Sequence, residues 1–184
     1  MEQTLTFIHR AGSPLEKTVP RERLAVLFDA HHQRLYRLAR RLSGDPEEAR
    51  DLVQQAFLAA ARRPSSIPSH DTGAEAWMVR TLVNLCRDRK RRLRVRQRAA
   101  AWLRPAPGGG DLETATVARA TVQAALQELP PRRRAVIVLH ELEDKDVAEI
   151  ATGLGLSRVT VRWHLATGRR DLKRILLREK KGHV

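Results

Sequence analysis

Residues 104–116 read RPAPGGGDLETAT. Two prolines and three successive glycines leave a packed helix or strand no way through, so this stretch is expected to be a flexible linker between two domains. The rest of the chain must then fold as two short pieces, each with its own core. In both pieces apolar residues recur at gaps of three and four, and no strand-like alternation bounded by turns interrupts them. The expected fold is all-α: two small helical bundles joined by a flexible linker. A hydrophobic share of 42% suffices for two cores, and an aromatic share of 4% leaves their packing to Leu, Val and Ala.

In the first piece Leu24, Phe28, Leu35, Leu38 and Leu42 make one stripe along a helix over 23–42, with His31 at the missing step of the register as a half-buried core residue. Then comes Ser-Gly-Asp-Pro-Glu-Glu. Gly44 suits a helix C-terminus, Asp45 an N-cap, Pro46 a first helical position, and Glu47 and Glu48 the positive dipole end of a new helix. That helix, to about Arg63, turns Ala49, Leu52, Val53, Ala56, Phe57 and Ala60 inward. Its outer side shows Asp51, Gln54, Gln55 and Leu58, either a partner-binding face or an incidental surface leucine. PSSIPSHDTG breaks the pattern as a loop, and a third helix starts near Ala74 with Trp77, Met78, Leu82 and Leu85 apolar. It continues into RDRKRRLRVRQR, residues 87–98, where eight of twelve residues are Arg or Lys. Such a run is a solvated helix end or a row of cations along phosphates; its continuation from an amphipathic helix favours the phosphates.

The second piece opens near Val117 with a helix carrying Val122, Leu126 and Leu129, stopped by Pro130-Pro131. A helix over 132–143 follows, with Ala135, Val136, Val138, Leu139 and Leu142 apolar. Asp146 caps the short helix DVAEIATGL, Gly153 to Leu156 turn the chain, and Ser157 caps a last helix, SRVTVRWHLATGRRDLKRIL. A short scaffold helix, a tight turn and a basic second helix make a helix-turn-helix, the second helix offering outward residues to a DNA groove. Val147, Ile150 and Ala151 form the scaffold's inner face, locked by Leu156, Val161 and Leu165. Arg158, Thr160, Arg162, Trp163, Thr167 and Arg169 remain outward; Arg162, Trp163 and Thr167 sit where such a helix meets base edges. The plain alternative is a helical hairpin in a bundle, which has little need of so many arginines.

The formal net charge is +14, which implies a polyanionic partner or surface without specifying a fold. No apolar run approaches the roughly 20 residues of a membrane span, and no signal-peptide core is present. The expectation is a soluble cytoplasmic protein without membrane insertion. The single cysteine, Cys86, allows no internal disulfide and no Cys-cluster zinc site, and is expected to be a small apolar packer. HELED is not HExxH, GLGL lies in a helix turn rather than after a strand, and Glu141, Glu143 and Asp144 have no companion nucleophile. No enzymatic activity, cofactor, metal site or small-molecule substrate is expected.

Three stretches together carry a resemblance: DLVQQAFL, AWMVRTLVNLCRD, and LPP followed by EIA and TVR. With the segments around them, about 130 residues in order, the chain resembles bacterial RNA polymerase sigma factors of the extracytoplasmic-function (ECF) group of the sigma-70 family. Residues 23–98 correspond to sigma region 2 and 117–178 to sigma region 4. Residues 1–22 are then an N-terminal extension, 99–116 the linker and 179–184 a basic tail. The resemblance implies that Asp51, Gln54, Gln55 and Leu58 dock on the coiled coil of the polymerase β′ clamp, and that the β flap is a second contact. It implies a −10 face made by Ser69, His70, Trp77, Arg80, Asn84, Arg87 and Arg91, where an extruded base is held in a pocket that Asn84 can read. It implies that Arg158, Thr160, Arg162, Trp163, Thr167 and Arg169 face the −35 element, and that an anti-sigma factor is a further partner.

The chain departs from the family pattern at several of these positions. Pro-Ser-His-Asp stands where Phe-Arg-Gly is frequent before Trp77, Gln55 where Glu is usual, His164 and Thr167 where arginine is frequent, and Trp163 where a small residue is usual. The expected function is a promoter-specificity subunit that binds core polymerase, recognises the −35 and −10 elements and helps melt the latter. The alternatives are a stand-alone helix-turn-helix regulator that needs no polymerase, and a basic RNA-binding adaptor.

Overall fold

The computed structural model describes residues 21–99 and 114–181. The helices are α1 (Arg21–Ser43), α2 (Pro46–Arg62), α3 (Asp71–Ala99), α4 (Thr114–Glu128), α5 (Pro131–Glu141), α6 (Val147–Leu154) and α7 (Arg158–Lys181), with a 3-10 turn at Pro64–Ser66. No strand occurs among the described residues. Most of the linker and the N-terminal extension lie outside them. Ala99 still belongs to α3, and Thr114, Ala115 and Thr116 already belong to α4. The expected boundaries, 99–116, assign these four to the linker, but Ala and Thr lack the backbone restrictions of Pro and Gly and can enter a helix.

The α1–α2 junction forms as its residues dictate. Gly44 takes φ +85°, a region a Cβ disfavours, and its N–H closes the last turn on Arg40 at 2.9 Å. Asp45 then accepts from the Glu48 N–H at 2.7 Å, with Pro46 opening α2. All six inward residues of α2 are buried. On α1 the buried stripe is Leu27, His31, Leu35, Leu38, Ala39 and Leu42. Phe28, expected inside, is 44% exposed. It stands at the rim, its ring 4.4 Å from His32 and 5.0 Å from Phe57. His31 reaches Asp71 through Nε2 at 3.1 Å, tying α1 to the first turn of α3. That turn begins three residues before Ala74, where the apolar pattern starts.

In the second block Ile150, Ala151, Val161, Leu165 and Ile175 close over α5, of which residues 134–139 are all buried. Two apolar residues expected inside face solvent: Val122, and Leu142, which lies past the end of α5. Arg134, a residue that composition assigns to the surface, is inside at 4% exposure. Asp146 and Glu149 form a reciprocal capping box at the start of α6, and Gly155 ends it in the left-handed conformation.

The α7–α5 crossing depends on Gly168. A Cβ there would lie 2.7 Å from Ile137 Cγ1, 2.9 Å from its Cδ1 and 3.1 Å from Arg133 Cγ. Gly168→Ala gains about 1 kcal/mol of helix propensity. Overpacking a buried contact costs about 1–3 kcal/mol, and two carbons of Ile137 and the stem of Arg133 would all have to give way. We expect a net loss, read as a lower melting temperature; a rise would show that α5 and α7 separate freely.

The two blocks pack against each other: α4 and α5 against α1, and α5 and α6 against α3. Their buried residues make one contiguous core.

Candidate nucleic-acid interface

The helix-turn-helix is α6 and α7. Asp146 holds the start of the scaffold helix, and the backbone N–H bond from Glu149 keeps its carboxyl below the usual range. Ser157 Oγ accepts from the Thr160 N–H at 3.0 Å and shares a hydrogen bond with the Thr160 hydroxyl at 2.8 Å. Thr160 therefore serves the cap. Arg158 and Arg162 are exposed one turn apart, followed by exposed Ala166. Trp163 is 55% exposed, its ring held by the Arg133 guanidinium 5.4 Å from the centroid. Arg133 pairs in turn with Asp171. Thr167 is half-buried, and Arg169 is tied to Glu141 of α5, Nη2 to carboxylate 2.7 Å. Arg133 lies on α5, outside the helix-turn-helix, and only packing brings it over the Trp163 ring.

On α3, Trp77, Arg80, Asn84, Arg87 and Arg91 recur at steps of three and four and share one stripe. Trp77 leans half-buried on the core, while Asn84 and Arg91 are exposed. Ser69 and His70 lie exposed in the preceding loop. Arg80 is engaged elsewhere: its Nε donates to the Gly153 carbonyl at 2.8 Å and its Nη2 to Thr152 at 2.6 Å, at the C-terminus of α6.

The outer side of α2 presents Asp51, Gln54, Gln55 and Leu58, all exposed, with Asp51 3.4 Å from Arg89. Beside Gln54 and Leu58 runs a groove of about 540 Å³ between α1 and α2, lined by Phe28, His32, Tyr36, Val53 and Phe57.

Cations on helix ends make the seam between the blocks. Arg134 donates through Nη1 to the Leu42 carbonyl and Gln127 Oε1, and through Nη2 to the carbonyls of Gln127 at 2.7 Å and Leu129 at 3.2 Å. Lys90 of α3 donates to the Gln127 carbonyl at 2.7 Å. Gln123 donates to Arg41 at 3.0 Å and Gln127 to Leu42 at 3.3 Å. The negative ends of α1 and α4 thus stand in for carboxylates. They offset burial only in part: desolvation lowers Lys90 to about 8 and Arg134 to about 10. Arg34 and Arg41 of α1 close the far side on Glu143.

Cys86 lines the same seam, and burial pushes its thiol up to about 12, with Glu48 adding to the rise. A raised folded pKa stabilises the fold below the ordinary thiol value of 9.0, and that contribution is lost as pH climbs through 12. Cys86→Ala should therefore lose less stability than the parent chain between pH 9 and 12. Denaturant titration across that window checks it; parallel curves would contradict the burial.

Two helical blocks, one carrying a helix-turn-helix and the other a basic helix beside an exposed apolar face, define a two-domain DNA-binding protein. Family models for Sigma-70 region 2 and Sigma-70, region 4 match residues 27–96 and 119–172. The ECF RNA polymerase sigma factor SigM of Mycobacterium tuberculosis is 35% identical over 150 residues, 82% of this chain and 75% of its own. SigE of Mycolicibacterium smegmatis is 37% identical over 154 residues, 80% of this chain and 59% of its own. Among solved structures, CnrH in complex with the cytosolic domain of CnrY matches at TM-score 0.61 and 25% identity, over 85% of this chain and 89% of that one. RpoE with the anti-sigma factor NepR from Bartonella quintana shares the fold, at TM-score 0.60 and 20% identity over 85% of this chain and 95% of that one. The chain belongs to the ECF sigma factors of the sigma-70 family, the subunits that direct RNA polymerase to promoters. No described helix is long and apolar enough to cross a membrane.

Proposed function

We propose that this sigma factor docks on core polymerase through the outer side of α2, reads the −10 element with α3 and the −35 element with α7, and helps open the −10 duplex. The observation that carries the reading is Leu58. A leucine 44% exposed amid Asp51, Gln54 and Gln55, beside a groove lined with aromatic rings, is an apolar patch framed by polar groups. Such a patch fits a helical partner like the β′ clamp coiled coil better than it fits water. On α3, Trp77 offers a stacking surface and Asn84 an amide for a Watson–Crick edge, with Arg87 and Arg91 following as phosphate contacts. On α7 the exposed row of Arg158 and Arg162 lies beside Trp163, next to the capped N-terminus.

The second block also meets the β flap in this reading. An acidic anti-sigma factor contacting both blocks is a further partner in this reading; RpoE, which shares the fold, was solved in complex with an anti-sigma factor. Run-off transcription with purified core polymerase tests the reading. Transcripts that need both core and this chain support it; tight specific promoter binding that core does not enhance would favour a stand-alone regulator.

A further inference from the structure

The exposed face of α7 meets the −35 element in the reading above, on which this inference rests, and that face is divided along its length. At 3.6 residues per turn, Arg158, Arg162 and Arg169 fall on one edge and Val159 and Trp163 on the other, with the small side chain of Ala166 between. Val159 is 72% exposed and Trp163 55%, one turn apart, whereas Val161 and Leu165 beside them turn into the core. The Trp163 ring is also held from behind. The Arg133 guanidinium lies over one face, 5.4 Å from the centroid, and His164 stands against the ring at 4.9 Å, tilted by 59°. Arg133 is itself fixed: it pairs with Asp171, the two side chains only 16% and 14% exposed. Its stem passes α7 at Gly168, where a Cβ would stand 3.1 Å from Arg133 Cγ.

We propose that Val159 and Trp163 read the 5-methyl group of a thymine in the −35 element, beside the base that Arg162 reads, and that Arg133 is the positioning residue that aims the Trp163 ring. Three features support this. The thymine methyl is the apolar group that a base pair presents in the major groove, among hydrogen-bonding edges that Val and Trp cannot satisfy. The apolar edge shares one helix face with three arginines, so a groove that takes the cations between its phosphates receives Val159 and Trp163 as well. The ring is oriented from α5, outside the helix-turn-helix, so its place is set before DNA arrives and little side-chain freedom is lost on contact.

The test uses the holoenzyme, core polymerase with the full chain. A duplex library randomised across the −35 region is enriched on the parental holoenzyme. Each thymine of the selected element, on either strand, is then replaced by deoxyuridine, which removes the methyl group alone. We expect binding to weaken about fourfold, the worth of one buried methyl, at one or two positions next to the guanine read by Arg162. Val159→Ala should shrink that thymine-over-uracil ratio, and Trp163→Ala should bring it close to one. Arg133→Met should lower the ratio below about twofold while leaving the preference for that guanine unchanged, which a general loss of stability would not do. Asp171→Asn, which loosens the guanidinium without removing it, serves if Arg133→Met does not fold. A selected element without thymine, or one that binds equally well with deoxyuridine throughout, would overturn the proposal. A deoxyuridine effect undiminished in Val159→Ala or in Trp163→Ala would overturn the contact assigned to that residue. An unchanged ratio in Arg133→Met and Asp171→Asn would overturn the positioning role. If the parental holoenzyme enriches no sequence in this region, α7 does not read the −35 element, and the proposal falls with that reading.

Discussion

Leu58→Glu is expected to abolish binding to core polymerase while leaving helicity unchanged and stability within about 1 kcal/mol. The asymmetry follows from where the side chain stands. Leu58 projects from the exposed side of α2, opposite Ala56 and Ala60, which are fully buried, so the core is not asked to accommodate a carboxylate. A partner that covers Leu58 would have to bury that charge without a counterion. Truncating the central apolar residue of an interface typically costs 2 kcal/mol or more, roughly a thirtyfold loss; an unpaired carboxylate costs further. Titration of core with labelled protein measures it. Near-parental affinity would remove α2's outer side from the interface, and Gln54 and Gln55 with it.

The second large effect separates two arginines of α7. Arg162→Ala should relax preference at one or two −35 positions by about 1–3 kcal/mol, with binding to unrelated duplex almost unaltered. Arg169→Ala should instead weaken binding to every sequence and flatten the salt dependence by about one unit of slope. Arg169 must first leave Glu141, but an exposed pair of this kind is worth under about 1 kcal/mol, so it yields readily to a phosphate. Equal losses of specific and non-specific affinity in Arg162→Ala would make it a phosphate contact and overturn its base-reading role. Fluorescence anisotropy on a promoter fragment and a scrambled fragment distinguishes the two.

Local chemistry made most of this fold legible. Gly44-Asp45-Pro46 specifies its junction from three consecutive residues, and Asp146 with Glu149 specifies the start of α6, because each motif satisfies backbone groups within one turn. The inner side of α2 was readable for the same reason: its period belongs to the helix alone. What could not be read was set by distant partners. Arg134 looks like surface until the carbonyl of Leu42, 92 positions earlier, arrives to accept from it. Phe28 follows the register of α1 yet stays at the rim, because α2 covers only one side of that stripe. For the candidate site, periodicity gave the outward row of α7, whereas the engagement of Arg80 and the role of Arg133 required the neighbouring helices.

The chemistry of the seam bears on how the blocks hold together. Arg80, Lys90 and Arg134 are held on it by carbonyl oxygens at helix ends, acceptors that carry only partial charge, while Arg34 and Arg41 meet the carboxylate of Glu143. The two kinds of contact answer differently to salt: the carboxylate pairs on the far side weaken as ionic strength rises, whereas the carbonyl bonds, having no counterions to release, hardly change. The seam therefore keeps most of its grip in concentrated salt.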